Sequence, residues 1–307
     1  MDVNTLTFGV EIETHVPHGA LTVGRYHGRT RAEGLPEGWR TMSDCSINAP
    51  RGRTGCEFVS PILKGSEGVR NLMEAVAKIN ELGARVNASC GVHVHVGWTG
   101  DAAALARLIT LVANFERAIY ATTGSTNREN GNWCRGVHRN GNAAAAINSA
   151  RCNRYHVLNL TNLASGRQAT VEFRAFSGST NLVKILGYVR LCLGLVERAL
   201  SVSRKTNWTA KKPVPTSPIA RKGEGHTALT RLFYQLGWTK GRTSHTYGDV
   251  TAEGAPEHKA IKREFVRLAK QYDGEQEALA RYRGEDDADD NPDNITDAIR
   301  HAWRRGA

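Results

Sequence analysis

Two histidines and four glutamates in this 307-residue chain fall at spacings that could hold cations. Residues 90–97 read Cys-Gly-Val-His-Val-His-Val-Gly, so Val92, Val94 and Val96 alternate with His93 and His95. A period of two is the signature of a strand with one face in a core. It sends both imidazoles from the opposite face, and a one-residue slip in register would bury them. Alone, such a pair defines no metal geometry and reads first as a solvated edge with two surface histidines. Three more stretches are built alike. In Phe8–Thr14, Val10 and Ile12 share one face while Glu11 and Glu13 share the other. In Gly55–Pro61, Glu57 sits in an otherwise apolar run. In Ala169–Phe176, Val171, Phe173 and Ala175 are expected to pack one way, and Glu172 and Arg174 the other. Together these predict one sheet with a charged face. Such a face is costly to cover without compensating cations. Oxygen donors with a few imidazoles suit Mg²⁺ or Mn²⁺ better than a thiolate site would.

The intervening segments must position that sheet. Residues 15–54, rich in Gly, Arg and Thr, are expected to form hairpins at Leu21–Arg25 and Trp39–Ile47. Ser66 opens a helix with Val69, Leu72, Met73, Val76, Ile79 and Leu82 at the 3.6 period, and Gly83 ends it. Asp101 opens a second through Leu105, Leu108, Ile109, Val112, Phe115 and Ile119. Both are expected to cover the apolar back of the sheet. Thr122–Arg151 is polar and rich in Gly and Asn, apart from Ala143–Ala146, and reads as a long functional loop. Strands Tyr155–Thr161 and Thr170–Phe176 follow, joined by a turn at 164–168. Asn181–Ser201 reads as a buried helix, with Gly187 and Gly194 one heptad apart to admit a close neighbour. Lys211-Lys212-Pro213-Val214-Pro215, inside 205–222, reads as a linker or arm. Helices are expected at 224–236, 256–282 and 293–305. The acidic run Glu285–Asp293 lacks the central Gly and terminal Glu of a calcium loop and reads as a solvated connection. The chain thus divides into 1–204, bearing the charged strands, an arm at 205–222, and a helical C-terminal region at 223–307.

The formal net charge is +11, and residues 1–204 carry 23 Lys and Arg against 15 Asp and Glu. A basic surface around an acidic cluster attracts anions: a nucleoside triphosphate, an acidic peptide or another anionic macromolecule. Arg128, Arg135, Arg139, Arg151, Arg154 and Arg167 fall within one 40-residue span. The interleaved Asn and Gly suit a phosphate-gripping loop better than a DNA-reading helix, and a merely solvated basic surface fits the same residues. No stretch approaches the roughly 20 apolar residues of a membrane span, and no export signal is visible. The six cysteines form no CxxC pair, so reduced thiols and a cytoplasmic location are expected.

Glu-Ile-Glu at 11–13, the isolated Glu57 strand, Val-His-Val-His-Val at 92–96, Arg154-Tyr155-His156 and Val-Glu-Phe-Arg at 171–174 occur in an order that resembles the amidoligase family. That family belongs to the superfamily of glutamine synthetase and glutamate–cysteine ligase. The resemblance runs from about Phe8 to Leu200. It implies an α+β fold: a curved, mainly antiparallel sheet of the glutamine-synthetase catalytic type, helices on its outer face, and here a helical C-terminal region. It implies an ATP-dependent ligase that joins a carboxylate, from an amino acid or peptide, to an amine through an acyl phosphate, with Mg²⁺ or Mn²⁺. By resemblance, Glu11, Glu13, Glu57, His93 and Glu172 are the metal ligands and His95 touches nucleotide phosphates. Arg174 stabilises the transferring phosphoryl group, and Arg154 and Arg151 hold phosphate or substrate carboxylate. Glu57, Arg154 and Arg174 form the expected catalytic set. Asp44-Cys45-Ser46 resembles the family's substrate-side loop, and equally fits a simple Asx-turn. The rival from another class is a nucleic-acid-binding protein or metal-dependent nuclease. It explains the charge and the acidic cluster, but not the paired histidines, and no basic-aromatic module is visible.

Overall fold

In the structure, a computed structural model, residues 2–209, 227–239 and 245–285 are described. Seven strands form one open antiparallel sheet: β1 (Thr7–Pro17), β2 (Arg40–Met42), β3 (Arg53–Val59), β4 (Leu63–Lys64), β5 (Gly91–Gly97), β6 (Leu158–Asn159) and β7 (Thr170–Ser177). The spatial order is β2-β3-β1-β5-β7-β6, with β4 also paired to β1. The helices are α1 (Gly65–Glu81), α2 (Ala102–Ala121), α3 (Asn127–Asn130), α4 (Ala143–Cys152), α5 (Thr161–Ala164), α6 (Leu182–Ser201), α7 (Ala228–Gln235) and α8 (His258–Glu285).

Alternation in the strands sets the layers. Val10, Ile12, Phe58, Val92, Val94, Val96, Val171 and Phe173 form the buried back of the sheet. There α6 lies against β1 and β5, α2 against β7, and α1 beside α6. The alternation on β7 breaks once. Val94 pairs with Phe173 but Val92 pairs with Phe176, so the strand carries an extra residue at Arg174–Ala175. Such a bulge re-aims the side chains around it. Past it Phe176 turns to the helix side and stacks on Tyr188 of α6, 4.2 Å between ring centroids.

Several local expectations change. No hairpin forms at Leu21–Arg25; only β2 is strand, paired with β3. The strand expected over 155–161 shrinks to β6. Its start is taken by the loop before it: Arg135 N donates to Tyr155 O and Val157 N to Arg135 O. Its end becomes α5, where Asn159 Oδ1 accepts from Thr161 N at 2.9 Å. The polar 122–151 stretch contains α4. Asn142 caps it, accepting from Ala145 N at 3.0 Å, and Ala146 and Ala150 are buried.

The glycines of α6 admit the C-terminal helices as expected. A Cβ at Gly187 would stand 2.8 Å from Phe265 Cζ of α8, and one at Gly194 would stand 2.9 Å from Tyr247 O. Leu229 and Leu232 of α7, and Ile261, Phe265 and Leu268 of α8, join the same core as α2 and α6. The guanidinium of Arg190, fully buried on α6, fastens the segment before α8 by donating to Val250 O and Pro256 O. Arm residues 210–222, the acidic run beyond 285 and the helix expected at 293–305 lie outside the described residues. Among the described residues no helix is long and apolar enough to cross a membrane. All six cysteines are free thiols.

Candidate active site

Sheet register brings the charged residues to one face. Glu13 pairs with Glu57 across β1 and β3, Glu11 with His93 across β1 and β5, and His95 with Glu172 across β5 and β7. Glu11 lies between the two imidazoles: its Oε2 is 3.0 Å from His93 Nδ1 and its Oε1 is 3.1 Å from His95 Nε2. His93 also approaches Glu13 and Glu172, both at 3.7 Å. Arg174, at the β7 bulge, donates to Glu172 Oε1 at 2.5 Å, with its Nη1 3.4 Å from His93 Nδ1. Seven of the nine residues singled out in the sequence thus form one cluster: Glu11, Glu13, Glu57, His93, His95, Glu172 and Arg174. Arg154 stands at its margin. Arg151 is exposed on α4 and lines neither of the cavities described below.

Within the cluster, two groups have ligand atoms all within 4.8 Å of one another: Glu11, Glu57 and His93, and Glu11, His95 and Glu172. Glu11 belongs to both. His95, expected to meet nucleotide phosphates, is therefore also a member of a cation-sized group. Glu13 is in neither; its Oε2 accepts from Gly91 N at 2.5 Å.

The electrostatics ask for cations. Burial, then the negative charges of Glu11, Glu13 and Asp44, push the Glu57 carboxyl up to about 9. Burial alone would lower His95, but Glu11 and Glu172 raise it to about 9. Burial alone would raise Glu11 and Glu172. For Glu11 it is outweighed by the charge of His95 and hydrogen bonds from both histidines, and for Glu172 by the charges of His95 and Arg174; both carboxyls end below the usual range. Glu57 in the first group and His95 in the second therefore each hold a proton above neutrality. Protons there do what a divalent ion would do, so the donor set fits Mg²⁺ or Mn²⁺. His95 Nδ1 and Arg174 Nε, both buried, have no hydrogen-bond partner among the described residues.

A cavity opens on either side of the cluster. One, of about 630 Å³, reaches Glu11 and His95 and is walled by Gly9, Arg40, Gln168 and Thr170, with Pro61 and Ile62 at its edge. Ile62 is 83% exposed, an apolar lip with nothing packed over it. The other, of about 410 Å³, reaches Glu13 and His93 and is lined by Asp44, Arg128, Arg154 and Arg174, with Tyr26, Trp133 and Tyr155. Asp44 lines this cavity, and its Oδ1 accepts from Ser46 N at 2.7 Å, the Asx-turn of its simpler reading.

Two further participants have no individual role in the sequence reading: Arg128, named there only among six loop arginines, and Asn159. Arg128 of α3 is buried and donates to Arg174 O at 2.6 Å, its guanidinium lying over Gly91, where a Cβ would stand 3.0 Å from Nη2. Nothing in a polar loop marks which of its arginines turns inward. Asn159, opposite Glu172 in the sheet, donates to Glu172 Oε2 at 2.5 Å. Its signal was present: like Glu57, it is a lone polar residue in an apolar run.

Residues 4–143 match a family described as "putative amidoligase enzyme", so the resemblance read from the motifs stands. The match ends before β6 and β7; Arg154, Glu172 and Arg174 lie outside it, the last two joined to the site by sheet pairing. No curated protein matches the chain. Among solved structures, a bifunctional glutathione synthetase from Pasteurella multocida aligns with a TM-score of 0.42 at 10% identity, over 99% of this chain and 52% of its own. The chain thus spans about half the length of that protein. The complex of prokaryotic ubiquitin-like protein Pup and its ligase PafA aligns with a TM-score of 0.40 at 10% identity, over 95% of this chain and 72% of its own.

Proposed function

We propose, on the premise of an amidoligase match over residues 4–143, that the protein is an ATP-dependent carboxylate–amine ligase, using Mg²⁺ or Mn²⁺ and forming an amide through an acyl phosphate. One observation carries this reading: Glu11 is shared by two cation-sized ligand groups, and a cavity opens on each side of them. Phosphoryl transfer between two substrates needs that layout, because the chemistry is mostly positioning and charge neutralisation.

The larger cavity suits the nucleotide. Its Pro61–Ile62 lip offers an apolar surface to a base, and Arg40 and His95 offer cations to phosphates. The smaller cavity suits the carboxylate, which Arg154 would orient from the mouth. Glu11, Glu57 and His93, with Glu13 beside them, and Glu11, His95 and Glu172 would hold the divalent ions. When bound, those ions neutralise phosphoryl oxygens as charge shifts between them. Arg174, fixed through Nη1 by Glu172, keeps its Nε–H for the phosphoryl in transfer. In the reaction, a carboxylate oxygen attacks the γ-phosphorus and ADP leaves; the amine nitrogen then attacks the acyl carbon, loses a proton, and phosphate leaves. Arg151 would meet only a ligand extending beyond the smaller cavity. A cytoplasmic location agrees with six free thiols.

The test is ADP release from ATP–Mg²⁺ with pooled carboxylates and amines, products being read by mass spectrometry. The expected outcome is release that requires both pools and disappears in Glu11→Gln and Glu57→Gln variants that still fold. ATP-independent cleavage of nucleic acid, or ADP release indifferent to both pools, overturns the reading.

A further inference from the structure

The mouth of the smaller cavity is built unlike the rest of the surface. Of the five large apolar side chains exposed among the described residues, three gather there: Tyr26 at 50%, Trp133 at 54% and Tyr155 at 37%. They come from three separate segments and are tied together. Trp133 and Tyr155 meet edge to face at 5.2 Å. Arg154 covers the Tyr155 ring at 5.7 Å and donates to Tyr26 Oη at 3.5 Å. Next to Tyr26, His27 holds φ at 56°, the one positive value outside glycine among the described residues, and its ring lies 3.8 Å from that of Tyr26. Backbone in that conformation carries a cost and persists where its surroundings enforce it. Ordered aromatic rings held exposed around a cavity are the makings of a contact surface.

Asp44 and Glu13 line the cavity itself, but the segments that carry the rings are basic. Residues 18–31 contain three arginines and no acid; residues 127–155 contain five arginines against the single acid Glu129. Glu129 is itself engaged by Arg117 at 3.1 Å and by Tyr272. Arg25, Arg29, Arg135 and Arg139 are exposed.

We propose that this rim docks an acidic polypeptide bearing aromatic or apolar side chains, one of whose carboxylates enters the smaller cavity as the acyl substrate. The inference rests on the ligase reading for the fate of the carboxylate, but the surface itself does not depend on it. Arginines and aromatics also suit single-stranded nucleic acid. Two features favour the polypeptide. Trp133 and Tyr155 are locked edge to face, with Arg154 over Tyr155 and bonded to the Tyr26 hydroxyl, not spaced as parallel platforms for bases. And the rim leads into the cavity that, on the ligase reading, receives the carboxylate of an acyl donor, a group a nucleic acid lacks.

The probe is a fluorescein-labelled random copolymer of glutamate and tyrosine, titrated against the full chain by anisotropy, beside labelled oligo-dT of similar charge. The copolymer is expected to bind in a salt-sensitive way and to change Trp133 emission. Trp133→Ala, and separately the double variant Arg25→Glu and Arg29→Glu, should each weaken it at least about tenfold, the scale of an aromatic or arginine anchor. Trp133→Phe should recover most of the loss. Circular dichroism and ATP–Mg²⁺ affinity, unchanged in all three, exclude misfolding. Absent copolymer binding, variants that bind it as well as the parent, or oligo-dT bound more tightly through the same residues, each overturn the proposal. Copolymer binding without ATP–Mg²⁺ binding sinks the ligase reading and leaves the surface standing; the converse does the opposite.

Discussion

Glu57 and His95 differ in chemistry yet are pushed the same way, and the consequence is measurable. The Glu57 carboxyl rises from its ordinary 4.5 to about 9, through burial and the charges of Glu11, Glu13 and Asp44. A folded-state value above the unfolded one gives a contribution fully present below 4.5 and lost as pH rises through about 9. His95 rises from 6.5 to about 9, so its contribution is full below 6.5 and lost over the same alkaline limb. The metal-free protein should therefore lose stability as pH rises from about 4.5 to about 9, most steeply above 6.5, where both groups contribute. A divalent ion in the Glu11, Glu57 and His93 group must displace the Glu57 proton, and one in the Glu11, His95 and Glu172 group the His95 proton. Mg²⁺ should therefore raise Tm more at pH 8.5 than at pH 6, and each ion bound at pH 7.5 should release about one proton. Calorimetry in buffers of different ionisation enthalpy counts that proton; no release, with an equal Tm gain at both pH values, would remove Glu57 from the ligand set. Arg174 makes a separate case. Its grip on a phosphoryl group in transfer would be stronger in the transition state than before it, so Arg174→Lys should lower kcat on the order of 100-fold while changing KM for ATP little. If Arg174 only balanced Glu172, the lysine variant would turn over at the parent rate.

Among the elements, what could be read from sequence and what could not divide on one physical line. Strands β1, β3 and β5 were legible because an apolar back forces strict alternation, and alternation also fixes which side chains share the front. That logic delivered the seven clustered residues. It failed where something other than burial decides the backbone. The bulge at Arg174–Ala175 has no marker in a run of alternating residues, and strict alternation alone does not bring Phe176 to the helix side. The β6 region was overextended because Tyr155 and Val157 spend their backbone groups on Arg135, a partner 20 residues earlier that no local pattern reveals. And α4 was hidden by its polar surroundings, although an Asn cap before four alanines is a helix start. The Gly187 reading succeeded because a helix crossing leaves a size requirement in the sequence. Gly187→Ala should cost about 1–3 kcal/mol, since its Cβ meets Phe265 and Ile261 of α8 at 2.8 and 3.0 Å. Chemical denaturation measures it. A variant as stable as the parent would mean that α8 can shift without cost.

Across the whole molecule, α8 reaches the active site through a chain of contacts that sequence separation conceals. Glu275 of α8 accepts from Thr126 N at 2.9 Å, and Tyr272 donates its hydroxyl to Glu129. Between those two anchored positions lies Arg128, which enters the smaller cavity and donates to Arg174 O. The C-terminal helix thus holds, from about 140 residues away in sequence, the turn that delivers a guanidinium to the site. Tyr272→Phe keeps the ring in its buried seat and removes only the hydroxyl, at a cost of about 1 kcal/mol. Arg117 still pairs with Glu129, so the fold should survive. The expected result is faster amide hydrogen exchange confined to residues 126–131, with ATP–Mg²⁺ affinity unchanged, because the nucleotide is assigned to the cavity on the other side of Glu11. Once a carboxylate substrate is in hand, its KM should rise severalfold and kcat should change less. A uniform rise in exchange across α2, α6 and α8 would show instead that Tyr272 supports the core as a whole and that Arg128 is positioned without it.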